Sequence, residues 1–225
     1  MGQNGAQISD EPEVPSTYYG TIPCADCPGI EYVLHLDENY YTELRWYIDK
    51  NQAPFEKTGN WEKKSDSLYL YDADGDVYQT FLFSENQLTL LDREQNIVSG
   101  DLANHYQLER LHEATSIRRH HNQLKEDGVT FFATGNEPFW NIRIIDGETL
   151  AYADPELETS FDYFDISEDN EVIEYRSEND NYTLLFTIRP EFCRDSMSGY
   201  IFTHSVFMSF DQGETYQGCG QFLKP

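Results

Sequence analysis

From Thr17 onward, apolar and polar residues alternate with a period of two, the pattern of half-buried strands rather than of helices. It predicts strands over 17–22, 31–36, 40–48, 55–61, 67–71, 77–83 and 87–91, with 105–109 able to supply a closing strand. Val33 and His35 share one face of the second. Short strands at this spacing, separated by Asp, Asn and Gly turns such as Asp37-Glu38-Asn39, describe a meander that curls into a barrel or sandwich. Leu111 to Asp127 breaks the rhythm: it holds helix formers and no Pro or Gly before Gly128, and reads as a helical or extended connector. Beyond Gly128 the alternation returns over 129–134, 139–145, 149–152, 172–177, 182–189, 206–210 and 215–219. The acidic run from Asp154 to Asp165 reads as a solvated loop or a sheet edge. Residues 1–16 carry almost no apolar anchor and read as a flexible tether. The expected organisation is a tether over 1–16, a β domain over 17–110, a linker over 111–127 and a C-terminal β domain over 128–225. The fold class is all-β, two antiparallel domains with no sequence repeat between them.

Composition narrows the partners. The 225 residues hold 41 acidic against 15 basic side chains, a formal charge of −26. Such a field repels nucleic acid and anionic lipid surfaces, so neither is expected as a partner. The aromatic share of 15% is too high for a disordered acidic chain. The turn Asp72-Ala73-Asp74-Gly75-Asp76 invites a calcium-loop reading, but Val77 stands where such a loop needs Gly and Phe83 where it needs Glu. It reads as a hairpin turn. Adjacent His120 and His121, beside Arg118 and Arg119, point about 100° apart on a helix and do not converge on one ion.

Four cysteines, two in each half, suit an oxidising compartment with one bridge per domain. Cys24 and Cys27 form a Cys-x-x-Cys pair that can close a small disulfide, exchange with another thiol, or hold a soft metal. A thioredoxin-type pair needs a following helix, whereas Pro28 and Gly29 lead into a strand pattern. A zinc site needs four ligands, and Cys193 and Cys219 are singletons in the other half. Two thiolates alone can hold Cu(I), with His35 and Met1 as the nearest extra donors in the sequence. Cys193 and Cys219 read as a structural disulfide that staples the C-terminal sheet. His204 and Ser205 adjoin without a nucleophile elbow, glycine-rich phosphate loops are absent, and no catalytic constellation stands out, so an enzyme is not expected.

Tyr19-Gly-Thr-Ile-Pro-Cys-Ala-Asp-Cys-Pro-Gly-Ile30, then Leu34-His35-Leu36-Asp37, Tyr40-Tyr41 and Phe55-Glu-Lys-Thr-Gly-Asn-Trp61, resembles the N-terminal domain of the NlpE family. These are bacterial outer-membrane lipoproteins linked to copper resistance and envelope-stress sensing. The resemblance implies a small lipocalin-like β-barrel with Cys24 and Cys27 as its metal or redox element. It also implies a cell-envelope protein facing the periplasm, held by a lipid anchor at an N-terminus missing here, with a periplasmic sensor protein as partner. In the second half, Gly135-Asn-Glu-Pro-Phe-Trp140, Cys193-Arg-Asp-Ser-Met-Ser-Gly199 and Gly218-Cys219-Gly220 look like a different module, similar in style to HslJ/META-type envelope domains. The expected function is non-enzymatic copper or redox stress homeostasis. Its alternatives are a lipocalin-like carrier of a small apolar ligand and a protein inhibitor or scaffold of the cell wall, whose sign would be an exposed loop such as Asp195 to Tyr200 presented as a plug.

Overall fold

The computed structural model describes residues 12–50, 52–84, 86–111 and 115–223. The tether expected over 1–16 lies outside the described residues up to residue 11, as do Met1 and the side chains of Arg118 and Arg119. The chain divides near residue 112 into two compact units.

In the first unit, β1 (Ser16–Ile22), β2 (Ile30–Leu36), β3 (Tyr40–Tyr47), β4 (Phe55–Lys64), β5 (Ser67–Tyr71), β6 (Val77–Ser84), β7 (Gln87–Leu90) and β8 (Gln107–Leu111) form a closed barrel in chain order. The last strand returns to the first, with Thr17 opposite Leu111 and Tyr19 opposite Glu109. Closure leaves no open sheet edge. Gly20 makes it possible: a Cβ there would lie 2.3 Å from the Gln107 carbonyl oxygen, so no larger residue fits between β1 and β8. The alternating pattern turns Tyr18, Leu34, Tyr41, Leu70, Phe81 and Leu108 into one fully buried core. The Asp72 turn is a hairpin turn. Its Oδ1 accepts from the backbone N–H groups of Asp74 and Asp76, at 3.1 and 3.0 Å, and Gly75 takes a positive φ of 84°.

In the second unit, one helix, α1 (Thr115–Glu126), precedes β9 (Val129–Asn136), β10 (Phe139–Ile145), β11 (Thr149–Ala153), β12 (Glu158–Phe161), β13 (Phe164–Asp169), β14 (Val172–Glu178), β15 (Thr183–Arg189), β16 (Cys193–Arg194), β17 (Ile201–Phe202), β18 (His204–Phe210) and β19 (Thr215–Phe222). Nine of these strands form one antiparallel sheet in the order β12-β11-β10-β9-β19-β18-β15-β14-β13. Its two edges, β12 and β13, are consecutive in the chain, so the sheet rolls nearly closed. The acidic run therefore supplies both edges, where charge discourages pairing with another chain. One face packs Phe131, Trp140, Ile142, Phe186, Val206 and Met208. The other carries the β16–β17 hairpin and α1, whose Leu124 packs with Phe132, Phe202 and Leu223. The all-β class, with two antiparallel units and one short helix, is what the structure shows.

Candidate functional site

Ile22 pairs with Ile30 at the end of the β1–β2 ladder, and residues 23–29 form the connecting loop. Pro23 and Pro28 lack the N–H a further ladder rung would need, and the loop turns there. Within it Cys24 and Cys27 are joined as a disulfide, with Cα atoms 5.3 Å apart. Both cysteines are half-buried against the barrel core, while Ala25, Asp26 and Pro28 are exposed. The two sulfurs and an Asp26 carboxylate oxygen all lie within 4.8 Å of one another. Cys27 Sγ also sits 3.2 Å from the Gly29 carbonyl oxygen, which itself accepts from the Ile48 N–H. An oxidised sulfur carries no hydrogen, so the sulfur contact is packing rather than a hydrogen bond.

Asp26 is the member of this cluster that the sequence reading passed over. The signal was its place between the two cysteines. His35, weighed as an extra donor, is far away: it pairs across the hairpin with Thr17, whose Oγ1 is 2.8 Å from its Nδ1. Five residues of strand separate it from the loop end at Ile30, roughly 17 Å.

A second polar feature lies inside the barrel. Glu43 is fully buried on β3, and Arg45, two residues on and therefore on the same inward face, brings its Nε to 3.0 Å from Glu43 Oε1. Arg45 Nη2 donates to the Tyr78 hydroxyl and its guanidinium stacks 4.5 Å from the Phe55 ring. Tyr32 and Tyr78 face the same carboxylate. Burial first, and then the Glu43 charge, pushes the Tyr78 phenol up to about 12 and Tyr32 well above its ordinary value. The network ties β2, β3 and β6 together through the barrel's interior. Its sequence trace is a charged pair, Glu43 and Arg45, at inward positions of an otherwise alternating strand.

In the second unit Cys193 and Cys219 are also joined, Cα atoms 5.5 Å apart, linking β16 to β19. Both are buried in the cluster beneath α1. Beside this bond lies a cleft of about 330 Å³ lined by Thr134 to Glu137, Cys193 to Ser196 and Gln217 to Cys219. Asp195 anchors its wall. Its carboxylate accepts from Asn136 Nδ2 at 2.6 Å, from the Ser198 N–H at 2.7 Å and from the Ser198 hydroxyl. Burial pushes this carboxyl's pKa up, but those hydrogen bonds outweigh it and hold the group below its ordinary value. Beneath the cleft, Gly135 and Gly218 leave room for Trp140: a Cβ on either would lie within 2.6 Å of the indole.

A small closed β-barrel bearing a Cys-x-x-Cys pair on its first hairpin loop defines the class to which the first unit belongs. Residues 18–101 match the family model of the NlpE N-terminal domain. Over 98 residues the chain is 31% identical to lipoprotein NlpE of Escherichia coli (strain K12), covering 42% of this chain and 41% of that protein. The chain thus spans less than half the length of the curated relative it matches. Among solved structures, a Shewanella oneidensis protein is 32% identical, covers 48% of this chain and 98% of its own, and has a TM-score of 0.40. The crystal structure of the Cpx pathway activator NlpE from Escherichia coli is 17% identical, with coverages of 89% and 97% and a TM-score of 0.35. The family match stops at residue 101, and the second unit stands outside it.

Proposed function

We propose that this chain is a non-enzymatic lipoprotein of the bacterial envelope whose Cys24–Cys27 loop serves copper or redox stress homeostasis. The observation that carries the reading is the convergence of two sulfurs and a carboxylate on one half-exposed loop at the end of a rigid barrel. The disulfide is closed over a short ring, with Asp26 exposed beside it. A dithiol reductant can attack one sulfur, pass through a mixed disulfide, and leave both cysteines as thiols while its own sulfurs become bonded. Two electrons and two protons pass to the pair. The reduced pair then offers two soft ligands for Cu(I), whose binding displaces the thiol protons. Asp26 is a harder donor that adds negative charge beside a cation. The loop runs into β2 rather than into a helix, so no helix N-terminus lowers a thiol pKa, and a ligand or sensor role fits better than a catalyst of disulfide exchange. The name of the Escherichia coli relative, a lipoprotein, supports a lipid anchor; the outer membrane, the periplasm-facing body and a periplasmic sensor protein as partner belong to the same proposal.

The test is an anaerobic Cu(I) titration of the reduced chain beside Cys24→Ser/Cys27→Ser, after thiols are counted in the protein as isolated. The reading expects one Cu(I) bound tightly and lost in the double variant. Copper binding that survives the double substitution, or none at all, contradicts it.

A further inference from the structure

The second unit carries a site that the barrel's role does not use. We propose that the cleft between β9 and β19 binds a short extended peptide. Three segments distant in the sequence converge on it, 134–137, 193–196 and 217–219, and they hold the residue groups that distinguish this half of the chain. Their meeting has a backbone cause. The ladder between β9 and β19 pairs Phe131 to Thr134 with Phe222 to Cys219 and ends there, although β9 continues to Asn136 and β19 begins at Thr215. Two central strands part at this point. Facing backbone groups beyond the last rung lose their ladder partners, and buried backbone polar groups need others.

The walls suit a ligand that is itself a backbone. Gln217 presents a carboxamide with both donor and acceptor; Asn136, whose Nδ2 is held by Asp195 and the Ser196 hydroxyl, adds its carbonyl oxygen, and the Ser196 hydroxyl keeps its hydrogen to donate. Arg194 brings one positive charge against the carboxylates of Glu137 and Asp195, so the cleft lacks the positive excess that a nucleotide or phosphate ester needs. It lacks the apolar lining that a lipid needs. Next to the lining stand two exposed apolar side chains, Phe139 at 51% and Met197 at 69%, available to a peptide's side chains. The volume of about 330 Å³ falls at the small end of ligand sites, roughly 300–1,000 Å³, and admits a few residues at most.

Two features hold the site in shape before any ligand arrives. The Cys193–Cys219 bond fixes β16 to β19, and Asp195 fixes the neighbouring loop to Asn136 of β9. Below, the buried Trp140 Nε1 finds no hydrogen-bond partner, and a Cβ on Gly135 would lie 2.3 Å from it. A buried N–H left unsatisfied against the cleft floor marks a place not optimised for stability alone.

The experiment uses the full oxidised chain, labelled with ¹⁵N, titrated to millimolar concentration with trialanine in two forms: N-acetylated with a C-terminal amide, and with free termini. The expected result is saturable amide shifts at Gly135, Asn136, Gln217 and Gly218. Gln217→Ala should weaken binding about three- to tenfold, the loss of one hydrogen bond, and Gln217→Trp should abolish it by filling the cleft. Gln217 is exposed, so both variants keep the fold, and their own spectra verify this. Tighter binding of the capped form identifies a segment within a protein chain as the ligand; tighter binding of the free form identifies a short free peptide. No saturable shift with either form, unchanged binding by Gln217→Trp, or shifts produced only by N-acetylglucosamine would overturn the proposal.

Discussion

The two disulfides of this chain differ in nearly every property that governs how readily a bond opens. Cys24 and Cys27 are three positions apart on a half-exposed hairpin loop; Cys193 and Cys219 are 26 apart and buried under a helix. In the chain-entropy account the short ring constrains the unfolded chain by about 2 kcal/mol and the long one by about 3.5 kcal/mol. Burial widens the gap, because a thiolate cannot attack a sulfur it cannot reach. The units around them differ in the same sense. The barrel closes through its own ladders and a buried ion pair, so it does not depend on its disulfide. The second unit's sheet stops just short of closure, and its disulfide holds a small hairpin on one face. One bond lies half-exposed on a loop; the other is buried beneath a helix.

The largest effect that bears on this contrast comes from the barrel's own polar interior. Arg45→Met leaves Glu43 buried without its partner and should destabilise the first unit by about 3–5 kcal/mol, read as a lowered denaturant midpoint for the barrel alone. Next, Cys193→Ser/Cys219→Ser should destabilise the second unit by about 3.5 kcal/mol and leave the barrel's transition in place. Acid should also single out the second unit. Burial holds His121 and His204 at pKa values of about 4, against an ordinary 6.5, and His120 and Lys125 add to the effect at His121. The folded unit keeps both imidazoles neutral while the unfolded chain protonates them. Stability is therefore complete above about 6.5 and lost as the pH falls from there through about 4, about 2 kcal/mol for each histidine by about pH 5. Near-ultraviolet circular dichroism across that range, with His121→Asn and His204→Asn flattening the slope, checks it. Smallest is Cys24→Ser/Cys27→Ser, at most about 2 kcal/mol; a larger loss would mean that the barrel needs its ring after all.

The barrel's meander was legible because most of its strands have one buried and one wetter face, so period two survives in residues such as Leu68 and Leu70. The closing strand was read two residues early, at 105–109 rather than Gln107–Leu111, since the short helical turn Ala103–His105 precedes it. The edges β12 and β13 hid in the acidic run: a strand paired on one side and wet on most of its surface carries little alternation. β16 and β17, two residues each, are too short to leave any periodic trace. For the site, the cysteines were visible as a motif, whereas Asp26, whose carboxylate lies beside them, looked like one more acid in an acidic chain. The cleft beside Cys193 was not legible at all, because it exists only where three distant segments meet.

The most direct test of the contrast is differential alkylation of the intact chain equilibrated over a series of dithiothreitol redox buffers, with the labelled cysteines identified by mass spectrometry. The account predicts that Cys24 and Cys27 become labelled at a less reducing poise than Cys193 and Cys219, which stay protected while the fold persists. Simultaneous labelling of all four, or earlier labelling of Cys193 and Cys219, would contradict it.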